Sequence, residues 1–235
     1  MVMSMNNARG FSRLIIDGSE WVLKLMYVHL LWIVFTILGL GVLGVMPATV
    51  AVFSTIRKWL MKESDIAIFP YFLDIYKSTW KTSNLIGLVL LAIGSFLYVD
   101  LKVSQEFLRF VPIHLFLLLL LFIFIITCLF VFPALAHYNL KPLQYIKQSL
   151  LLALLNPAAL ISILLWILCT YVIYIYVPVF YFLMGATLFS FPIMWFCLRA
   201  FNKVEQKKSQ QVSWPCWWSY FLERRHHLYE KKNTI

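Results

Sequence analysis

Few residues of this 235-residue chain combine a reactive type with a setting in which it would matter. His29 lies inside a long apolar run. An imidazole there is a candidate ligand or proton carrier, although a single such His more often bonds a backbone carbonyl or a hydroxyl on a neighbouring helix. Asn156 and Pro157 form a second candidate. The proline removes one backbone hydrogen bond and frees a carbonyl. The Asn156 amide would then tie helices together at a kink, or line a polar cavity. Thr49, Ser54 and Thr55 are candidates for the same cavity. His114 and His137 have no partner at metal-ligand spacing, and His226 and His227 are adjacent rather than one helical turn apart. None of the ten Asp and Glu residues interrupts the long apolar segments. The chain has no His-Glu-x-x-His, no Gly-x-Ser-x-Gly and no phosphate-binding glycine loop. ATPase, metalloprotease, serine hydrolase and carboxylate-driven proton transport are disfavoured. The expectation is a protein that is not an enzyme and uses no cofactor or metal.

The segments that must position these residues follow from composition. Apolar types make up 62% and charged types 13%, against about 45–50% and about 25% in soluble domains. Leu25–Ile56, Thr82–Val99, Phe110–Leu140 and Gln148–Leu198 contain no Asp, Glu, Lys or Arg. Helices and strands of a soluble core each need a polar face, so they do not sort charge this way. A soluble enzyme, a disordered chain and a disulfide scaffold are excluded. A β-barrel would alternate polar and apolar residues, whereas these runs are continuous. The fold class is all-α, a polytopic membrane helical bundle.

A helix crosses a hydrocarbon core of about 30 Å with roughly 20 residues. Six spans are expected: residues 25–43, 46–61, 84–100, 111–133, 150–175 and 179–199. An amphipathic helix over 1–24 precedes them, with Arg13–Asp17 and Glu20–Lys24 as i,i+4 pairs. It is expected to lie on the membrane surface. Gly39, Gly41 and Gly44 loosen the chain, and Pro47 is placed to begin the short second span. An interfacial helix is expected over 69–81, with Phe69, Phe72, Ile75, Tyr76 and Thr79 on one face. Ser83, Gly87 and Gly94 form a small-residue packing seam. Pro157 and Pro192 are expected to kink the last two spans. Residues 201–235 form a basic, Trp-rich tail.

Lys and Arg accumulate on the cytoplasmic side of membranes. Six spans with both termini in the cytoplasm put 18 of the 20 basic residues inside, leaving Lys102 and Arg109 outside. Five spans place 15 inside and 5 outside at best. The net charge of +10 therefore points to lipid headgroups rather than nucleic acid. Cys128, Cys169, Cys197 and Cys216 show no disulfide or metal pattern.

Several local features occur together. They are His-Leu-Leu-Trp at His29–Trp32, Met-Pro-Ala-Thr at Met46–Thr49 and Arg-Lys-Trp-Leu at Arg57–Leu60, followed by Phe69–Phe72, Asn84–Gly87 and Phe132–Ala136. This order resembles the bacterial YesL family of membrane proteins, over roughly residues 9–203. Pro47, Ala48 and Thr49 with Arg57, Lys58 and Trp59 are the most specific part. The resemblance implies a cell-membrane protein linked to carbohydrate uptake, with sugar-transporter membrane subunits as partners beside the lipid bilayer. It supplies no catalytic residues. Three functions are thus in view: first an accessory component of an oligosaccharide uptake system, then a small-solute permease or channel acting alone, and last a membrane enzyme.

Overall fold

The computed structural model describes residues 2–63, 65–108 and 111–212, with side chains described over 16, 18–63, 65–106 and 111–203. Seven α-helices make up this part of the chain, and no strand occurs among the described residues. They are α1 (Val2–Leu38), α2 (Val42–Leu60), α3 (Ile68–Val103), α4 (Val111–His137), α5 (Pro142–Leu155), α6 (Pro157–Tyr176) and α7 (Pro178–Val212). A π-helical turn, Ser104–Leu108, ends α3. The chain divides into two units, Met1–Leu198 and Arg199–Ile235. The bundle described below is the first.

Among the described residues, five helical stretches are long and apolar enough to cross a membrane: Gly18–Leu38, Ile68–Glu106, Val111–His137, Pro157–Tyr176 and Pro178–Lys203. Their outward residues are large and apolar, such as Leu38 at 69% exposure and Leu88 at 66%. Such surfaces suit a lipid solvent. The protein is a multi-pass helical membrane bundle.

α2 is not among the five. It is 19 residues long, a rise of about 28 Å, and it carries Arg57 and Lys58 in its last turn. It is also the centre of the bundle. Ala48, Val50, Ala51, Val52 and Ile56 are wholly inaccessible, and α1, α3 and α4 pack around it. Val50 belongs to a core cluster with Ile86 and Leu90 of α3, Val131, Ala134 and Leu135 of α4, and Tyr145 of α5.

Several boundaries differ from those the sequence suggests. α1 runs unbroken through Lys24, so the amphipathic segment and the first span are one helix. No proline or glycine lies near residue 24 to break it. The Arg13–Asp17 pair falls outside the described side chains. The turn comes at Gly39–Gly41, where Leu40 and Gly41 adopt φ of 60° and 70°. α2 therefore starts at Val42, and Pro47 is buried inside it rather than in its first turn. Close approach dictates glycine here. A Cβ on Gly39 would lie 2.4 Å from the Cα of Gly44, and one on Gly44 would lie 2.5 Å from the Thr36 carbonyl oxygen.

The segment 69–81 is not a separate interfacial helix. It forms the first turns of α3. Its aromatic face packs on α1, with Phe35 ring centroids 5.3 Å from Phe72 and 4.9 Å from Tyr76. The Tyr76 hydroxyl donates to the Phe35 carbonyl at 3.0 Å. The small-residue seam meets two partners. Gly87 admits the Met46 side chain of α2, and Gly94 admits the Phe124 ring of α4.

The expected span 150–175 is divided at Asn156, where φ is −131° and ψ is 68°. Pro157 starts α6 instead of kinking a longer helix. A proline ring disfavours the α conformation in the residue before it, and the first helical position needs no N–H donor. Tyr145 fastens the preceding turn. Its hydroxyl donates to the Tyr138 carbonyl and accepts from the Leu140 N–H, both at 3.0 Å. Pro192 does lie inside α7. The Trp-rich tail beyond Val212 lies outside the described residues.

Candidate functional site

Midway along the apolar Gly18–Leu38 stretch of α1, two residues one turn apart hold neighbouring helices. His29 is buried, and it meets α7 through both ring nitrogens. Nδ1 accepts the Ala186 N–H at 3.2 Å, which leaves Nε2–H to donate to the Phe182 carbonyl at 3.1 Å. Phe182 and Ala186 are the acceptor and donor of one i to i+4 step of α7. The imidazole bridges that step. Only the neutral ring can do both.

Trp32 reaches the other way. Its indole N–H donates to Thr49 Oγ1 on α2 at 3.2 Å. Thr49 in turn donates to the Val45 carbonyl one turn back, at 2.7 Å. The His29 and Trp32 rings are stacked, 6.0 Å apart and 11° from parallel. α1 is thereby clamped to α2 on one side and to α7 on the other.

The clamp forms one wall of a cavity of about 580 Å³ between α1, α2, α4 and α7. Phe53, Phe132 and Phe189 supply aromatic surface, and Cys128 and Leu129 line the α4 side. A Cβ at Gly185 would lie 3.2 Å from the Tyr181 ring and in ordinary contact, at 3.8 Å, with the imidazole. With His29, Trp32 and Thr49 engaged, Tyr181 and Ser190 supply the remaining hydroxyls of the lining. The chamber is mostly apolar, and its volume is within the roughly 300–1,000 Å³ usual for ligand pockets.

The structure thus brings His29 and Thr49 to one cavity and leaves Asn156 and Pro157 away from it. The Asn156 side chain donates back to the Leu152 carbonyl at 3.3 Å. Its own carbonyl accepts from the N–H groups of Ala159 and Leu160. It stands where α5 ends and α6 begins. Ser54 and Thr55 do not line the cavity either, and Thr55 donates to the Ala51 carbonyl in its own helix. Sequence reasoning missed Phe53, Cys128, Tyr181, Phe189 and Ser190. Nothing in an apolar run distinguishes a cavity wall from a lipid-facing residue.

The second set of singled-out residues forms the interior and one end of α2. Pro47 and Ala48 are buried. Arg57 Nη1 donates to the Ala136 carbonyl at 3.1 Å, in the last turn of α4. A cation there offsets the negative end of the helix dipole. Lys58 pairs with Glu63 across the following turn. The Trp59 ring is buried and meets Trp21 of α1 edge-on at 5.7 Å, while its indole N–H is buried without a partner. Among the described residues no three His, Cys, Asp or Glu side chains come together as a metal-ligand set.

Comparison with known proteins places this arrangement. Residues 25–101, which carry both halves of the α1–α2 clamp, match a family described as "Protein of unknown function, DUF624". The chain is 37% identical to the uncharacterized protein YesV of Bacillus subtilis over 201 residues, covering 82% of this chain and 94% of YesV. The chain belongs to the YesL-like DUF624 family. Within that family it is 28% identical to YesL of the same organism over 194 residues, covering 81% of this chain and 91% of YesL. It is 39% identical to YteU over 135 residues, which are 57% of this chain and 61% of YteU. Both are described as uncharacterized proteins. No solved structure matches the chain.

Proposed function

We propose that this YesL-like protein is a non-catalytic accessory component of a carbohydrate uptake system, resident in the cell membrane. The observation that carries the reading is the His29 clamp. The imidazole facing the cavity is held on both nitrogens by the α7 backbone, so it is committed to assembly and not to proton transfer or ligation. The link to oligosaccharide uptake rests on the resemblance to the YesL family, and the partners it implies are the membrane subunits of a sugar transporter. In this reading α2 is a sixth, sheathed crossing, and both termini lie in the cytoplasm. A tagged copy, extracted in gentle detergent, should carry sugar-permease subunits through purification. Recovery of the protein alone would overturn the proposal.

A second reading, a small-solute permease acting by itself, draws on the aromatic-walled cavity of about 580 Å³. Asn156 does not line this cavity. Correctly inserted protein in liposomes should then move oligosaccharides. Absence of flux would remove this reading.

A further inference from the structure

We propose that the cavity between α1, α2, α4 and α7 is a binding site for one acyl chain of a membrane lipid. The cavity lies midway along the apolar Gly18–Leu38 stretch of α1, among helices whose outer faces are apolar. α4 and α7 form opposing walls and are not closely packed on one another. A chamber of about 580 Å³ left empty would deprive its lining of contacts on one side, and the loss grows with cavity volume. In a bilayer the nearest filler is hydrocarbon.

The chemistry of the walls selects among occupants. A sugar carries several hydroxyls, and each one buried without a partner is unfavourable. The wall has already spent the His29 ring, the Trp32 N–H and the Thr49 hydroxyl on interhelix bonds. Only the Tyr181 and Ser190 hydroxyls are left to receive a polar ligand. Phe53, Phe132, Phe189, Leu129 and Cys128 instead present aromatic, aliphatic and thiol surface, which a flexible hydrocarbon chain satisfies by contact alone. A bound chain would also complete the missing contact between α4 and α7. This site is independent of the uptake reading. Failure to recover permease subunits leaves it standing, and its own failure leaves that reading intact.

Photolabelling tests it. The protein is reconstituted in vesicles of phosphatidylethanolamine and phosphatidylglycerol that include a phospholipid with a diazirine in one acyl chain. After irradiation, adducts are mapped by mass spectrometry. Adducts are expected on Cys128, Leu129 and Phe189, as well as on the outward-facing Ile161 and Leu165. Cys128→Trp, which narrows the chamber, should lower the adducts on Leu129 and Phe189 by about tenfold, the change set by roughly 1.4 kcal/mol of lost binding. The outer adducts should not change. Wild-type adducts confined to Ile161 and Leu165 would overturn the proposal without recourse to any variant. Loss of the inner adducts on adding a maltooligosaccharide would also overturn it, and would assign the cavity to sugar.

Discussion

The backbone N–H of Ala186 donates to His29 Nδ1 across 157 positions of sequence. Nε2 of the same ring meets the carbonyl of Phe182, four residues before Ala186. An imidazole spanning the two ends of a helical step is both a strut and a replaceable one. α7 is helical through this step, so without the ring the N–H and the carbonyl have each other as partners.

His29→Ala should therefore cost less than two orphaned polar groups would suggest. Interhelix hydrogen bonds within membranes average about 0.6 kcal/mol, reaching about 1.7. A loss of about 1–2 kcal/mol is expected, read as a lower thermal midpoint in detergent. No change in midpoint would show that the clamp contributes nothing to stability.

The α1–α2 turn should be far less tolerant. Gly39→Ala and Gly44→Ala each drive a methyl group into backbone or into the Tyr76 hydroxyl. Overpacking of this kind costs about 1–3 kcal/mol, sometimes more. Gly18 has open space around it, and Gly18→Ala should stabilise by about 0.5–1 kcal/mol through helix propensity. Thermal midpoints of the three variants should separate in that order. Similar midpoints for Gly39→Ala and Gly18→Ala would contradict the close approach.

Tyr76→Phe isolates the single hydrogen bond to the Phe35 carbonyl. The ring stays packed and the bond is lost, for an expected cost of about 1 kcal/mol. A midpoint that falls as far as in Tyr76→Ala would instead assign the residue's contribution to the hydroxyl alone.

Arg57→Gln should loosen the junction between α2 and the end of α4, because the Ala136 carbonyl loses its cationic partner. A cost of about 1–2 kcal/mol is expected from the charged hydrogen bond and the helix dipole together. Arg57→Lys keeps the charge but not the planar fork, so it should restore only part of it. Full restoration by Lys would mean that charge alone matters.

Reporter fusions at the N-terminus and after Glu63 decide the standing of α2. The same side for both fits a sheathed sixth crossing with cytoplasmic termini. Opposite sides would leave only the five long apolar helices as crossings.

The sequence conveys the apolar stretches well because they are continuous. α4 could be placed within four residues of its end on charge alone, from Phe110–Leu140. Breaks inside featureless apolar runs are harder. The division at Asn156 depends on a proline serving as a first helical residue, a role it shares with a kink in the same sequence pattern. Pro47 shows the converse, since it looks like a helix start and lies inside α2. The site was half legible. His29 and Thr49 stand out as polar residues among apolar ones. Their partners do not, because Phe182 and Ala186 act through backbone atoms that every residue possesses.

The position of α2 bears on how the chain is made. Its middle residues touch protein and almost no lipid, and its final turn is cationic. Such a helix gains little by partitioning alone into hydrocarbon. Its affinity for the membrane is supplied by α1, to which the glycine turn joins it within three residues. In a six-crossing arrangement the first two helices enter as a hairpin, and the hairpin stays incomplete until α3 and α4 have been synthesised. In the interval its half-buried Thr49 and its unclosed flank are open to whatever holds nascent membrane chains, and a defect at Gly39 or Gly44 would be met there, before the protein has any partner at all.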